Sequence, residues 1–335
     1  GTTYVVRCMI QTEYGMQADT GWKEFTVQYS VSEFTGYVEA CPGLIDGILV
    51  RWSRVSYIPG TANGSYSVGN GNLYLPGGST ITWDEKNGSP MNFSTPWSIA
   101  WSSTYPSTGT SPALGISGTI TVNVEPDAVT ILNGINVVGS VPLNGIYSTT
   151  PIRIVITPRE LHVYAPTYEG GLYPSDDLYP SDDLFPDTYM AIWNVVKTPL
   201  TWVQPDITSI TLYGEQQCEW ITAIDGEVSG TELQSLLTNL EYEPVWGLDT
   251  LFLANFEGTS IDGGNITPNE DVTGVALYRQ AQGDATLSFV SNLDISTTAI
   301  VDEGYRNQVN YTYYVFVLGE TTYVSSALPS NSIVP

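Results

Sequence analysis

The sequence predicts an all-β fold made of consecutive β-sandwiches. Short runs in which apolar and polar residues alternate recur along the chain, for example at residues 119–124 and 152–156, and clusters of Gly, Pro, Asn and Ser separate them. Apolar residues make up 42% of the chain and aromatic residues 12%, which is too much for a disordered protein. These observations indicate a folded chain that is rich in strands and turns.

One segment carries a convincing helix signal. Residues 229–232 read Ser-Gly-Thr-Glu, the pattern of a capping box, and Leu233, Leu236 and Leu237 follow at helical spacing. The sequence therefore predicts a short helix at this place, which caps a domain.

Length and charge limit the classes of function. A chain of 335 residues can form two or three domains. The net charge of −25 repels polyanions, so nucleic acid and anionic membranes are poor partners. No apolar run approaches the roughly 20 residues that a membrane helix needs. Cys8, Cys41 and Cys218 are an odd number of widely spaced cysteines, which predicts buried free thiols.

The first 36 residues resemble the last two strands of a fibronectin type III domain. Residues 1–7, Gly-Thr-Thr-Tyr-Val-Val-Arg, are followed by a turn and by Gly21-Trp22, where a second strand begins. Two strands are not stable alone in water. The resemblance therefore implies that the polypeptide continues upstream of Gly1, or that another chain completes the sandwich.

Residues 37–240 resemble a concanavalin-like or laminin-G-like jelly roll. The resemblance rests on Leu-Tyr-Leu-Pro-Gly at 73–77, Phe-Ser-Thr-Pro-Trp-Ser-Ile-Ala-Trp at 93–101 and Ile-Thr-Ser-Ile-Thr-Leu-Tyr-Gly at 207–214, before the predicted helix. About 205 residues suit one large sandwich of this kind.

Residues 241–335 again resemble a fibronectin type III sandwich. The strand-like runs are Leu-Phe-Leu-Ala-Asn-Phe at 251–256, Val-Ala-Leu-Tyr-Arg at 275–279 and the aromatic run at 311–317. The resemblance implies that Tyr311 is a corner tyrosine and that Tyr313 and Val315 point into the core. An unrelated small β-sandwich is the alternative.

A hexapeptide repeat interrupts the middle domain. Leu-Tyr-Pro-Ser-Asp-Asp occupies residues 172–177 and again 178–183, before a partial third copy ends at residue 187. Each proline removes a backbone donor and favours a turn, so the repeat is predicted to be a surface insertion in the jelly roll. Tyr173 and Tyr179 are expected to be accessible. The repeat also supplies carboxylates that could bind calcium, although solvated turns explain them equally well: Asp176, Asp177, Asp182 and Asp183.

The sequence offers little support for catalysis. The only histidine, His162, lies in a predicted strand without a nucleophile motif, which favours a structural role. Glycoside hydrolysis requires two suitably spaced carboxylates, but the acids cluster at turns such as Asp84-Glu85. We therefore expect a protein that is not an enzyme and that has no cofactor other than the candidate calcium.

Aromatic side chains suggest a sugar-binding role instead. Trp83, Tyr173 and Tyr179 are the candidate glycan-binding residues, because an aromatic face matches the apolar face of a sugar ring. Trp97 and Trp101 lie four residues apart in one predicted strand and so share a face, which favours core packing for both.

The order of these modules resembles that of tail and baseplate proteins of bacteriophages that infect Gram-positive bacteria. The resemblance implies a virion structural protein of the tail, present as a homo-oligomer in contact with other tail proteins. It also implies attachment to host cell-wall or capsular glycans. The alternatives are a secreted bacterial glycan-active enzyme with accessory domains and a bacterial surface adhesin.

Overall fold

The computed structural model confirms the all-β class, with strands throughout and one short helix. It describes residues 2–6, 9–11, 17–19, 23–27, 36–43, 47–143, 145–146, 151–169, 190–239, 241–256, 259–266, 272–306, 308–320, 323, 325 and 327–334. Segments 2–27, 166–169 and 190–193 are described by their backbone alone. The LYPSDD repeat lies outside the described residues, so the predictions for Tyr173, Tyr179 and its four aspartates stay predictions.

The N-terminal strands form hairpins. They are β1 (Thr2–Val6), β2 (Met9–Gln11), β3 (Gln17–Asp19) and β4 (Lys23–Val27). Strands β1 and β4 pair in antiparallel fashion, and so do β2 and β3. The two predicted strands of this segment therefore pair with each other.

The large sandwich contains most of the strands. It includes β8 (Gly60–Asn63), β9 (Ser67–Gly69), β10 (Asn72–Leu75), β11 (Thr80–Trp83), β14 (Trp97–Thr104), β15 (Thr110–Ile116), β16 (Ile120–Val124), β17 (Ala128–Asn133), β18 (Asn136–Pro142), β19 (Ile152–Ile156), β20 (Glu160–Glu169), β21 (Met190–Pro199), β22 (Ile210–Tyr213), β23 (Gln216–Asp225) and β24 (Thr250–Asn255). A short hairpin, β12 (Glu85–Lys86) with β13 (Ser89–Pro90), lies between β11 and β14.

These strands form two sheets. One has the order β21-β20-β19-β14-β23-β10-β9, with β24 also paired to β23, and the other has the order β18-β17-β16-β15-β22-β11-β8. Apolar side chains from both sheets form one core that runs from Ile58 to Ile261 along the chain. Trp97 and Trp101 are fully buried in it, as the shared face predicted.

The predicted helix is present as α1 (Gly230–Thr238). Leu236 and Leu237 are buried against Val155 and Trp220 on the outer face of the first sheet. Ser229 is the N-cap residue, but its side chain makes no capping hydrogen bond, so this detail of the predicted capping box is wrong. Packing onto the sheet therefore stabilises a helix that is too short to be stable alone.

A small sandwich is formed by strands that precede and strands that follow the large sandwich in the sequence. Its strands are β5 (Val38–Pro42), β6 (Ile48–Trp52), β26 (Val272–Ala281), β27 (Ser288–Asp294), β28 (Ala299–Asp302), β29 (Tyr311–Gly319) and β30 (Leu328–Ile333). One sheet has the order β28-β6-β5 and the other β27-β26-β29-β30. Trp52 and Val50 of the first sheet share a core with Tyr313 and Val315 of the second.

This pairing corrects which strands belong to the predicted jelly roll at 37–240 and to the predicted last domain at 241–335. Strands β5 and β6 were expected in the jelly roll, yet β6 pairs with β28 and contributes to the small core. The run at 251–256 was expected in the last domain, yet it is β24 and pairs with β23. The large sandwich is therefore an insertion between β6 and β26 of the small one.

The chain leaves and re-enters the small sandwich through a two-stranded connection, which we call the junction. It consists of β7 (Tyr57–Ile58) and β25 (Gly263–Gly264), which pair antiparallel. The buried Asn265 and Ser56 bond to each other twice, since Ser56 N–H donates to Asn265 Oδ1 at 2.8 Å and Asn265 N–H donates to Ser56 O at 3.0 Å. The junction has little room for change, because a Cβ on Gly263 would lie 2.1 Å from the Phe252 ring.

Polar contacts support the small core. Tyr311 is buried, and its hydroxyl oxygen accepts the Arg306 N–H at 3.0 Å, the upstream backbone contact expected of a corner tyrosine. Asp302, only 5% exposed, accepts from Arg279 Nη1 at 2.6 and 2.8 Å and from the Tyr313 hydroxyl at 2.8 Å. This contact connects β26, β28 and β29.

Candidate functional site

A cleft of about 540 Å³ opens on the outer face of the first sheet. Two exposed tyrosines line it, Tyr66 at 42% and Tyr74 at 37% exposure. The polar side chains around them are Ser67, Thr104, Glu215 and Gln217, and the other lining residues are Ser65, Leu75, Pro76, Tyr105, Pro106 and Gln216.

Strand pairing explains how these residues come together. Tyr74 lies opposite Ser67 of β9 and Gln217 of β23, and Gln217 lies opposite Thr104 of β14. Residues directly opposite in a sheet point to the same face, with Cβ atoms about 5 Å apart. Leu73 and Leu75 point to the other side, into the core, so Tyr74 between them must point outward. A row across four strands therefore forms the floor of the cleft.

Buried polar contacts hold the β23 end of the cleft in place. Gln216 is buried; its Oε1 accepts the Ser103 hydroxyl at 2.8 Å and its Nε2 donates to Ala113 O at 2.8 Å. The Thr110 hydroxyl donates to Glu215 O at 2.6 Å. Gly214 packs so closely that an added Cβ would lie 2.0 Å from Pro76 O. The side chains of Glu215 and Gln217 consequently extend from a fixed backbone.

The buried side chain of Tyr105 forms part of the wall of the cleft. Tyr105 accepts the Trp101 indole N–H at 2.8 Å, and burial raises the pKa of its hydroxyl above the usual value of 10.0. It therefore stays neutral at physiological pH and serves as a hydrogen-bonded part of the wall.

Trp83, the one predicted site residue within the described part of the chain, does not lie in this cleft. Trp83 is fully buried, its indole N–H donates to Ile261 O at 2.8 Å, and its ring packs 5.2 Å from that of Phe252. It presents no face to a sugar, which corrects its prediction as a glycan-binding residue. The other predicted residues lie in the repeat, outside the described part of the chain.

The sequence contained a partial signal for the cleft. The alternation Leu73-Tyr74-Leu75 places a tyrosine on the face opposite two leucines, and the polar run at 215–217 precedes a buried strand. Neither signal indicates that β10, β23 and β14 are neighbours, because that order comes from contacts between residues far apart in the chain. Tyr66, Tyr74, Glu215 and Gln217 were therefore missed.

The cleft lacks the arrangement expected for glycoside hydrolysis. Among its described lining residues Glu215 is the single carboxylate, and it is exposed. The next acid on the strand, Glu219, is four residues further on, which is about 13 Å in an extended strand. Acid and base pairs of glycosidases lie about 5–9.5 Å apart. Within the cleft itself, the described residues therefore do not supply such a pair.

His162 lies elsewhere on the same outer face. It is buried, and its Nε2 lies 3.3 Å from Glu160 Oε2, while Lys197 Nζ lies 2.9 Å from Glu160 Oε1. Burial lowers the pKa of His162 below its usual 6.5. These contacts agree with the structural role predicted for it.

Within the described residues, no three His, Cys, Asp or Glu side chains are grouped so that they could hold a metal ion. In the same part of the chain, no helix has both the length and the apolar character needed to cross a bilayer. Cys218 is a buried free thiol as predicted, Cys41 is free but only half-buried, and Cys8 lies outside the described residues.

Comparison with known proteins adds no family to this description. No protein-family model matches the chain. A search of curated proteins likewise finds no match.

Proposed function

We propose that the large sandwich binds glycans through the cleft, and that the chain is a structural protein of a bacteriophage tail which contributes to attachment to the host cell surface. The observation that carries the binding role is the pair of exposed tyrosines, Tyr66 and Tyr74, beside Thr104, Glu215 and Gln217. Aromatic rings stack on the apolar faces of sugars, and amide, hydroxyl and carboxylate groups bind sugar hydroxyls.

The arrangement of domains supports the tail role. The small sandwich has three strands facing four, as fibronectin type III domains have, and the two large sheets are compatible with a jelly roll of the concanavalin or laminin-G type. Modules of these kinds, joined without long linkers, suit a protein that displays a binding surface on a particle. The net charge of −25 favours solubility at high copy number and disfavours nucleic acid as a partner.

The binding role is tested on a glycan array with the complete chain and three variants. Tyr66→Ala and Tyr74→Ala should each weaken binding at least tenfold, about 1.4 kcal/mol. Tyr323→Ala is the matched control, because Tyr323 is similarly exposed, at 44%, but belongs to the small sandwich. Binding that is unchanged in both cleft variants would contradict the proposal.

The tail role requires a separate experiment. Peptides of this chain should be detected by mass spectrometry in purified phage particles, and antibodies against the large sandwich should label the tail in electron micrographs. Detection on the bacterial surface without particles would instead indicate an adhesin. Shortening of a bound glycan during incubation with the chain would indicate an enzyme.

A further inference from the structure

A second, polar pocket adjoins the cleft on the same face of the sheet. It has a volume of about 240 Å³. Its lining includes Asn72, Glu219, Trp220, Glu243 and Asn255. The two openings together cover the outer side of β10 and the first half of β23, up to the loop that follows α1.

The two pockets are lined by neighbouring residues of the same strands. Asn72 lines the polar pocket, and Tyr74, two residues further along β10, lines the cleft. Residues i and i+2 of a strand lie on one face about 7 Å apart. On β23, Gln217 lines the cleft and Glu219 lines the polar pocket. A bulge opposite Ser102 and Ser103 places both Glu219 and Trp220 in the lining of the polar pocket.

The charges around both pockets are unfavourable for an anionic ligand. Glu215 lines the cleft, and Glu219 and Glu243 line the polar pocket. Arg153 is the single basic residue among the described lining residues, and it is only 2% exposed. It donates to the backbone oxygens of Asn239 and Tyr242, and its guanidinium lies 5.4 Å from the Trp220 ring. A carboxylate or phosphate on a ligand would therefore meet like charge without an accessible cation.

Resting on the glycan-binding role proposed above, we infer that the cleft and the polar pocket are the two parts of one site for an uncharged glycan chain of several sugar rings. One ring stacks on Tyr66 and Tyr74, and the chain continues along β10 to hydrogen-bond with Asn72, Asn255 and Glu219. A single sugar in the cleft makes no contact with the polar pocket. The site therefore selects for chain length as well as for absence of negative charge.

The test uses the complete chain and oligomers of glucose, N-acetylglucosamine and galacturonate with one to six rings, with affinity measured by calorimetry. Affinity for a neutral oligomer should rise at least tenfold between one ring and four. Galacturonate oligomers of equal length should bind at least tenfold more weakly. Asn255→Ala, at an exposed position, should lower affinity for four rings about tenfold and for one ring less than twofold.

The outcomes separate this inference from the general binding role. If no oligomer binds, or if Tyr74→Ala binds normally, the glycan role itself is wrong. Two other results would overturn the extended neutral site while leaving the cleft as a glycan site. In the first, Tyr74→Ala loses binding but affinity does not depend on chain length. In the second, galacturonate oligomers bind best. Circular dichroism melting of each variant distinguishes lost contacts from lost folding.

Discussion

Replacing Trp52 by alanine tests whether β5 and β6, the strands that precede the insertion, stabilise the small sandwich or the large one. Trp52 is fully buried at the end of β6, where it pairs with Val38 and packs in the core that contains Val275 and Tyr313. Truncating a buried tryptophan to alanine costs about 3–5 kcal/mol. Domain stabilities are typically about 5–15 kcal/mol, so this single change removes a large fraction of the stability of the small sandwich.

Hydrogen exchange measured by mass spectrometry reports the effect segment by segment. Trp52→Ala should increase exchange in β26 and β29, which are distant in sequence, and leave β14 and β16 protected. Trp101→Ala is the matched control, since Trp101 is equally buried but belongs to the large core, and it should give the reverse pattern. Increased exchange in β14 with unchanged β29 after Trp52→Ala would refute the assignment of β6 to the small sandwich.

Three further predictions follow from the contacts described above. Asp302→Ala should destabilise the small sandwich by about 3–5 kcal/mol in urea unfolding, because it leaves Arg279 and Tyr313 without their shared carboxylate. The control, Glu227→Ala, breaks an exposed ion pair with Arg159 at 3.5 Å and should cost less than about 1 kcal/mol. Equal losses of stability in the two variants would contradict this prediction. The pKa of His162 is lowered in the folded state, so the unfolded chain binds a proton at this histidine at a higher pH than the folded chain does. The stability of the protein should therefore fall as the pH drops below about 6.5. His162→Gln should show a smaller fall in melting temperature between pH 8 and pH 5.5 than the unchanged protein. Gly214→Ala forces a Cβ against Pro76 O and should weaken glycan binding in calorimetry. Gly247→Ala, whose added Cβ would lie 3.8 Å from Thr250 Oγ1 and outside both pockets, should bind normally. Equal affinities would show that the backbone at Gly214 does not hold the cleft.

Local patterns in the sequence were sufficient for the class of fold and for individual elements. Alternation of apolar and polar residues reports which face of a strand is buried, and this depends only on neighbours in the chain. The helix at 230–238 was predicted from the leucines that do pack onto the sheet, although Ser229 makes no capping bond. The inward positions of Tyr313 and Val315 were also predicted correctly.

The insertion could not be predicted because it depends on pairing between distant residues. Strand β6 ends at residue 52 and its partner β28 begins at residue 299. The run at 251–256 is almost wholly apolar, so its pattern fits either core, and only its register with β23 assigns it to the large sandwich. The candidate site shares this property, because three strands of its floor, β10, β14 and β23, are far apart in sequence.

The insertion also explains how the cleft can keep a fixed orientation. A domain joined through one linker can rotate about that linker, whereas the large sandwich is connected through both strands of the junction. The paired bonds of Ser56 and Asn265 and the close packing of Gly263 on Phe252 resist twisting of these strands. Arg54 adds a contact outside the junction, with Nη2 2.8 Å from Asp225 Oδ2 of the large sandwich. Force applied to a ligand in the cleft would therefore pass to the small sandwich through two chain segments at once, which suits the proposed role in attachment.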